Sequence, residues 1–150
     1  MSRKPKPRTI RMIVDNRLEN VFLAGLAVQS FAMYSPLSER DAYNVRISLV
    51  EAVNSAILYS LQSGQEDEVE VIVSLHPDCM VLQVCDDASE AWFDPGETEP
   101  VGPEGPGSLS ERDMGRFIIR AVMDEVGAEK VGNRNVVTMV KSFGGKRLEF

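Results

Sequence analysis

The first candidate for chemistry is a glutamate on a long predicted helix. Glu51 lies on or beside the apolar stripe of that helix, and Asn54 and Ser55 follow within about one turn. A carboxylate next to an apolar face is costly in free energy unless it is paired or used in a reaction. Such a carboxylate can take a proton from a hydroxyl group, and an amide or hydroxyl oxygen beside it can bind a cation. The simpler interpretation is an acid in water at the edge of the stripe.

A second candidate is the pair of acids that ends a predicted strand. Asp86 and Asp87 follow the apolar run 80–85 and open into a long segment, 87–111, that is rich in glycine, proline and acids. A segment of this length without predicted secondary structure is usually functional or disordered in a compact domain. Taken alone, two acids at the end of a strand indicate only the start of a turn.

The third candidate is a glycine near the start of another predicted helix. Gly115 follows Asp113 and precedes the apolar residues of a helix predicted over 111–126. The N-terminus of a helix presents free N–H groups and the positive end of the helix dipole, and both favour the binding of phosphate. Glycine is common near helix starts, so this feature is weak without the other two.

Hydrophobic periodicity predicts the elements that must position these residues. The predicted elements are a strand over 8–14, helices over 18–33 and 41–62, a hairpin of strands that ends at 86, a helix over 111–126 and a last strand over 136–140. In the first helix we expect Leu18, Phe22 and Leu26 to face the core, with Val21, Ala24 and Val28 on the same side. Two helices between the first strand and the hairpin do not fit a doubly wound parallel sheet. The expected fold is α+β, a two-layer sandwich of a mostly antiparallel mixed sheet with helices on one face.

Composition restricts the class of protein further. The 150 residues, 43% hydrophobic and 26% charged, are typical of one globular domain. A net charge of −7 argues against nucleic acid as a direct partner. No apolar stretch approaches the roughly 18 residues of a membrane span, so we expect no membrane partner and a cytoplasmic location. Residues 1–7 and 144–150 are predicted to be a flexible basic tail and a C-terminal tail.

The order of these segments resembles the histidine kinase-like ATP-binding (GHKL) superfamily. Within that superfamily the chain is most similar to the small bacterial anti-sigma factor serine kinases. The resemblance rests on the helix with Glu51, on the hairpin that ends in Asp86, and on the run 114–126, Met-Gly-Arg-Phe-Ile-Ile-Arg-Ala-Val-Met-Asp-Glu-Val. Phe-Asp-Pro at 93–95 and the run 132–139 also look like that family.

The resemblance implies a fold, an activity and a set of partners. It implies a Bergerat-type ATP-binding domain over 8–143, with a lid loop at about 87–113. Proteins of this kind bind ATP and Mg²⁺ and phosphorylate a serine of a STAS-type anti-anti-sigma antagonist. They switch between that antagonist and a sigma factor, and they are often homodimers. For this chain, the resemblance therefore implies a regulator of transcription that does not itself contact DNA.

The resemblance also implies roles for residues of the long helix. Glu51 matches the general base that takes a proton from the serine of the partner as it attacks the γ-phosphate. The asparagine that holds Mg²⁺ in the family stands four residues after the glutamate, where this chain has Ser55. Asn54 lies one position earlier. On a helix these two side chains lie on opposite sides of Glu51, so either one could supply the metal ligand.

The remaining implied site is that of the nucleotide. Asp86 matches the aspartate that hydrogen-bonds the adenine amino group, and Ala88 replaces the glycine that leaves room for the purine. Asp113 stands where the family often has another glycine of the phosphate loop. The nucleotide-binding residues implied by the resemblance are Asp86, Ala88, Gly107, Gly115, Arg116 and Thr138.

Two functions of different classes follow from these matches and departures. One is an ATP-dependent serine kinase that regulates a sigma factor. The other is a non-catalytic protein-binding module of the same fold, which has lost efficient nucleotide binding through Ser55, Ala88 and Asp113. The acidic residues of the 87–113 segment favour the second function, because a triphosphate is repelled by nearby carboxylates.

Overall fold

The computed structural model describes residues 6–62, 64, 68–94 and 111–149. They form five strands and three helices. In chain order these are β1 (Arg8–Val14), α1 (Glu19–Met33), α2 (Glu39–Gln62), β2 (Val69–Leu75), β3 (Cys79–Asp86), α3 (Glu111–Val122), β4 (Glu125–Val131) and β5 (Arg134–Ser142). The predicted bounds of β1 are confirmed, and the predicted hairpin is formed by β2 and β3.

The five strands make one sheet in the order β1-β2-β3-β5-β4. Every neighbouring pair of described strands is antiparallel, so the α+β fold is confirmed and the sheet is antiparallel rather than mixed. The β3–β5 pairing crosses over α3 and β4, and it sets Asp86 directly opposite Asn135. This register brings the end of β3 and the start of β5 to the same point of the sheet.

The core lies between one face of the sheet and the helices. Along β2 the buried and half-buried residues alternate, and along β3 the even-numbered residues from Met80 to Asp86 are buried. This period of two places alternate side chains against the helices. Helix α2 provides the other half of the core, because Val45, Leu49 and Val53 are fully enclosed. Ser38 begins this helix by accepting a hydrogen bond from the backbone N–H of Asp41 (3.1 Å).

The buried side predicted for α1 is correct for Val21, Ala24 and Val28 and wrong for Leu18, Phe22 and Leu26. The residues that face the core are Val21, Ala24, Gly25, Val28 and Ala32. Phe22 is 63% exposed, and Leu18 and Leu26 are each about half exposed. The helix carries apolar residues on all sides, so spacing alone could not separate the buried stripe from the outer one. The residues of α1 that face the core are small or β-branched, and of its larger side chains Phe22, Leu23 and Leu26 point outward while Phe31 is half-buried against the core.

The predicted end of α3 is also wrong. The helix ends at Val122, and Val126 belongs to β4 rather than to the helix. The N–H of Asp124 donates to the carbonyl of Val140, and Lys141 Nζ donates to the carbonyl of Val122 (2.7 Å). Pairing with β5 therefore replaces the helical hydrogen bonds from this point, and β5 is longer at both ends than the predicted 136–140.

The C-terminal end of the chain packs against the rest of the fold. Near the C-terminus, the N–H of Leu148 donates to the carbonyl of Pro77 (2.8 Å), and the Leu148 side chain packs on the core. In the described part of the chain, none of the helices is both long enough and apolar enough to cross a bilayer.

Candidate functional site

Asp86 ends β3 as a fully enclosed carboxylate, with 0% of its surface exposed. Its Oδ1 accepts hydrogen bonds from the backbone N–H of Ala88 (3.0 Å) and from Asn135 Nδ2 (2.9 Å). Its Oδ2 is buried and has no hydrogen-bond partner among the described residues. Burial raises the pKa of Asp86, although the hydrogen bonds from Asn135 and Ala88 act in the opposite direction. The site therefore offers one satisfied oxygen and one acceptor that lacks a donor.

Asn135 is the residue of this site that the sequence analysis missed. Its amide also donates to the carbonyl of Ala88 (2.8 Å) and, at a longer distance, to that of Glu90 (3.4 Å). The side chain thus joins the start of β5 to both the Asp86 carboxylate and the backbone that follows it. The sequence signal was a polar residue directly before the apolar run of the last strand, which the predicted strand start at Val136 left outside the sheet.

The chain after β3 is packed tightly beside this carboxylate. Trp92 and Phe93 are almost fully buried and meet edge to face, with 5.7 Å between ring centroids. Arg120 of α3 lies 4.9 Å from the centre of the Phe93 ring and donates to the carbonyl of Asp94 (2.9 Å). These contacts fix the start of the predicted lid to the helix that follows it. Of that lid, residues 95–110, which include Gly107, lie outside the described residues.

The second part of the site lies where α2 meets α3. Glu51 is half-buried on α2, and its carboxylate lies against Gly115 of α3. A Cβ atom at position 115 would stand 2.6 Å from Glu51 Oε2, which is closer than a Cβ atom approaches a non-bonded atom in real proteins. The structure therefore brings together two of the predicted site residues that are 64 positions apart in the chain.

An ion pair stands next to this contact on α3. Arg116 Nη2 lies 2.7 Å from Asp113 Oδ1, and the Arg116 side chain is only 14% exposed. The negative charge of Asp113, which would repel a triphosphate, is thus partly neutralised by Arg116, the residue that the resemblance assigned to nucleotide binding. A phosphate group that reached Arg116 would have to compete with Asp113 for its N–H donors.

The two alternatives for the metal ligand remain together on α2. Asn54 and Ser55 are both half-buried, so burial does not distinguish them. Magnesium usually takes one or two protein oxygens and completes its shell with water and substrate phosphates. Either the Asn54 amide oxygen or the Ser55 hydroxyl fits that pattern. In the described part of the chain, no group of three or more His, Cys, Asp or Glu side chains has the arrangement of a metal site.

Thr138 lies apart from these residues. It belongs to β5, but it stands three positions after Asn135, so its side chain points to the opposite face of the sheet. There its hydroxyl lies 3.4 Å from Gln83 Nε2. The structure does not bring Thr138 together with Asp86, whereas Ala88 is buried directly beside that carboxylate.

An open cleft of about 380 Å³ adjoins the Asp86 group. It is bounded on one side by the segment 91–94 and on the other by residues of β4 and β5, including Asn135. Its volume lies in the range of small-molecule sites. Asn135 lines this cleft, whereas Asp86 does not.

Comparison with known proteins gives three results. The profile of the histidine kinase-like ATPase domain matches residues 14–141. The serine-protein kinase RsbW of Bacillus velezensis is 26% identical over an alignment of 146 positions that covers 93% of this chain and 89% of that protein. A chain of the solved SiaB–SiaC complex from Pseudomonas aeruginosa has a TM-score of 0.56 at 11% identity, over 89% of each chain.

These matches agree with the geometry of the site. The profile runs from the last residue of β1 into β5 and so includes Glu51, Asp86, Gly115 and Asn135, while the structural match supports the fold alone. The chain belongs to the histidine kinase-like ATPase domain family.

Proposed function

We propose that this protein is an ATP-dependent serine kinase that regulates a sigma factor by exchanging protein partners. It would bind ATP with Mg²⁺, phosphorylate a serine of a STAS-type anti-anti-sigma antagonist, and bind either that antagonist or the sigma factor. The observation that carries the proposal is the buried Asp86 carboxylate, whose Oδ2 lacks a donor among the described residues. The similarity to a protein named as a serine-protein kinase supports the type of reaction.

The adenine base fits the chemistry of Asp86. A buried acceptor without a partner is costly in free energy, and a donor supplied by a ligand removes that cost. The exocyclic amine of adenine is such a donor, whereas guanine carries a carbonyl oxygen at the equivalent position. Asn135 and the N–H of Ala88 hold the other carboxylate oxygen, so they fix the direction of Oδ2.

Glu51 is the residue we propose as general base. When bound, ATP would supply the phosphoryl group, and Asn54 or Ser55 would hold the Mg²⁺ that neutralises part of its charge. Glu51 would take the proton of the attacking serine hydroxyl, so that the serine oxygen bonds to the γ-phosphorus while the bond from that phosphorus to the bridging oxygen breaks and ADP leaves. Gly115 borders this carboxylate from α3, and the guanidinium of the next residue, Arg116, can stabilise negative charge once it leaves Asp113.

The second candidate function, a binding module without nucleotide turnover, is favoured by one observation. Asp86, Ala88 and Trp92 are all essentially unexposed, so the carboxylate is closed to a base in the described conformation. A purine could reach Oδ2 only if the covering side chains moved. A chain that kept this closed state would retain the fold and its protein-binding surfaces and would not bind ATP.

The outer face of α1 is the surface we propose for association of two copies. Phe22, Leu23, Leu26 and Met33 are each about half exposed or more, and no charged residue occurs between Asn20 and Met33. Exposed apolar patches of this kind mark protein contacts. Two chains of net charge −7 repel each other, and a contact made by an uncharged face adds no further repulsion.

Light scattering after gel filtration tests the homodimer. We expect the wild-type chain to elute with twice its 16.6 kDa mass and the Leu23→Glu variant to be monomeric. Val131→Glu places the same charge on an exposed apolar residue of β4, the edge strand farthest from β1 in the sheet, and should leave the dimer intact. A wild-type monomer at tens of micromolar would contradict this part of the proposal.

The kinase activity is tested with radiolabelled ATP. The purified chain is incubated with γ-³²P-ATP, Mg²⁺ and each STAS-type protein of its host in turn, and we expect transfer of label to a serine of one of them. Glu51→Gln keeps the shape of the side chain and removes the base, so it should bind ATP and lose transfer by about 10²-fold or more. ATP binding without transfer to any antagonist by the wild type would instead support a nucleotide-binding module.

A further inference from the structure

We infer that Gly115 is a positioning residue for Glu51, because the absence of a side chain at position 115 leaves the space that the Glu51 carboxylate occupies. The inference rests on the proposed function, since it assigns a cause to the position of the proposed general base. It differs from the role that the resemblance gave to Gly115, which was direct contact with phosphate. The structural part of the inference also has a test that requires no activity.

The geometry shows why a glycine is needed at this position. An ideal Cβ at 115 would lie 2.6 Å from Glu51 Oε2 and 3.5 Å from Glu51 Cδ. Gly115 is buried, and it is the fifth residue of α3, well inside the helix. Its φ is not in the left-handed region that favours glycine, unlike that of Gly132 in the β4–β5 turn. The backbone therefore does not require glycine at 115, and the contact with Glu51 does.

The low helix propensity of glycine also indicates that Gly115 is present for its contact with Glu51 and not for the stability of the helix. Glycine is less favourable than alanine in the interior of a helix, because it has more conformational freedom to lose. Position 115 thus has a residue that weakens α3 where the helix packs on α2. The compensating gain is a carboxylate that lies against the helix backbone.

The identity of the clashing atom decides what an added methyl group would do. Oε2 is the far end of a flexible side chain, so the Glu51 carboxylate would move and the backbone of α3 would stay in place. An alanine at 115 would therefore improve the helix while displacing the proposed base. Loss of activity together with unchanged or higher thermal stability is the signature of a positioning role. A merely structural glycine would instead give unchanged activity with lower thermal stability.

The first experiment compares Gly115→Ala with Gly127→Ala. Gly127 lies in β4 with an ordinary φ and no atom within 4 Å of its ideal Cβ among the described residues, so it is the matched control. For Gly115→Ala we expect kcat of phosphoryl transfer to fall at least tenfold, KM for ATP to change less than threefold, and the melting temperature to stay or rise. Gly127→Ala should leave kcat and KM unchanged.

The alternative results overturn the inference in different ways. Unchanged kcat in Gly115→Ala would show that the position of Glu51 does not depend on Gly115. A rise in KM that matches the fall in kcat would assign Gly115 to the nucleotide instead. Rescue provides a further check: in Gly115→Ala, adding Glu51→Asp shortens the carboxylate side chain by one methylene and should recover part of the lost kcat.

The second experiment needs no nucleotide and separates this inference from the proposed function. The urea midpoint is measured for Gly115→Ala in the wild-type background and in the Glu51→Ala background. Without the Glu51 carboxylate, the alanine should raise the midpoint by more than it does in the wild type, because nothing has to move. Equal shifts in the two backgrounds would overturn the inference. If the shifts of the urea midpoint differ between the two backgrounds but the wild type transfers no phosphoryl group, the inference stands and only the proposed kinase activity is contradicted.

Discussion

Asn135 and Asp86 face each other across the β3–β5 pair, and the Asn135 amide donates to Asp86 Oδ1 at 2.9 Å. The same amide holds the backbone carbonyl of Ala88 at 2.8 Å. One side chain therefore fixes both the carboxylate proposed to recognise adenine and the chain that leaves the strand. Its removal would leave a buried charged group without one of its two hydrogen-bond donors.

The first prediction concerns Asn135→Ala. We expect the free energy of unfolding to fall by about 1–3 kcal/mol, because buried acceptors on Asp86 and Ala88 lose their donor. Urea unfolding measures the effect. Asn133→Ala is the control, since Asn133 is exposed in the turn between β4 and β5. Equal losses in the two variants would contradict the role given to Asn135.

The second prediction is a pH-dependent stabilisation by Asp86→Asn. Burial raises the pKa of Asp86, so the folded state takes up this proton more readily than the unfolded state as the pH falls. Ionisation of Asp86 therefore destabilises the fold. This cost is absent below the ordinary pKa range of an aspartate, grows as the pH rises through the raised pKa, and is full above it.

At neutral pH, Asp86→Asn should thus be more stable than the wild type, while its binding of ATP should be lost. The gain in stability should shrink as the solution is acidified. Asp87→Asn removes the same charge from an exposed neighbour and controls for net charge. Urea unfolding at several pH values measures this gain in the free energy of unfolding. A gain that grew toward acid pH would contradict the prediction.

The third prediction concerns the ion pair on α3. Asp113→Asn should release the Arg116 guanidinium for phosphate and raise the affinity for MgATP by roughly two- to fivefold, which corresponds to the modest strength of a partly exposed pair. Calorimetric titration measures the affinity. Glu129→Gln makes the same change of net charge at an exposed position on β4. Weaker binding by Asp113→Asn would instead indicate that Asp113 helps to hold the metal.

The fourth prediction distinguishes Asn54 from Ser55 as the magnesium ligand. Ser55→Asn should strengthen Mg²⁺-dependent binding of ATP, because an amide oxygen reaches further than a hydroxyl and binds the cation better. Titrations with and without Mg²⁺ separate this gain from binding of the base. If Ser55→Asn has no effect and Asn54→Ala weakens binding, the ligand is Asn54. No effect of either change would contradict a magnesium site on this turn of α2.

The sequence was sufficient for those features that depend on local pattern. The period of two along β1 and β2 and the apolar run 80–85 of β3 predicted these strands, and the positions of Glu51, Asp86 and Gly115 pointed to three parts of one site. In helix α1 the same reasoning placed Phe22 and Leu26 on the core side together with Val21 and Val28, because all four are apolar, but only Val21 and Val28 are buried. Only packing against α2 decides which stripe is inside.

Long-range register accounts for the rest of what was missed. Asn135 acts through its position opposite Asp86, 49 residues away, and a single sequence carries no signal for that pairing. Sheet pairing with β5 likewise ended α3 at Val122, where local helix propensity allowed it to continue. The contact between Glu51 and Gly115 could be suspected from the family resemblance, but its closeness follows only from the packing of α2 on α3.

The central claim, that Asp86 is the adenine-recognising acceptor of an ATP site, is tested most directly by the melting temperature with and without MgATP. The wild type and Asp87→Ala should both be stabilised, by about 2.7 kcal/mol at a hundredfold excess over Kd, and GTP should give no shift. Asp86→Ala should fold and show no shift with ATP. The absence of any shift in the wild type at millimolar ATP, or equal shifts in Asp86→Ala and the wild type, would contradict the claim.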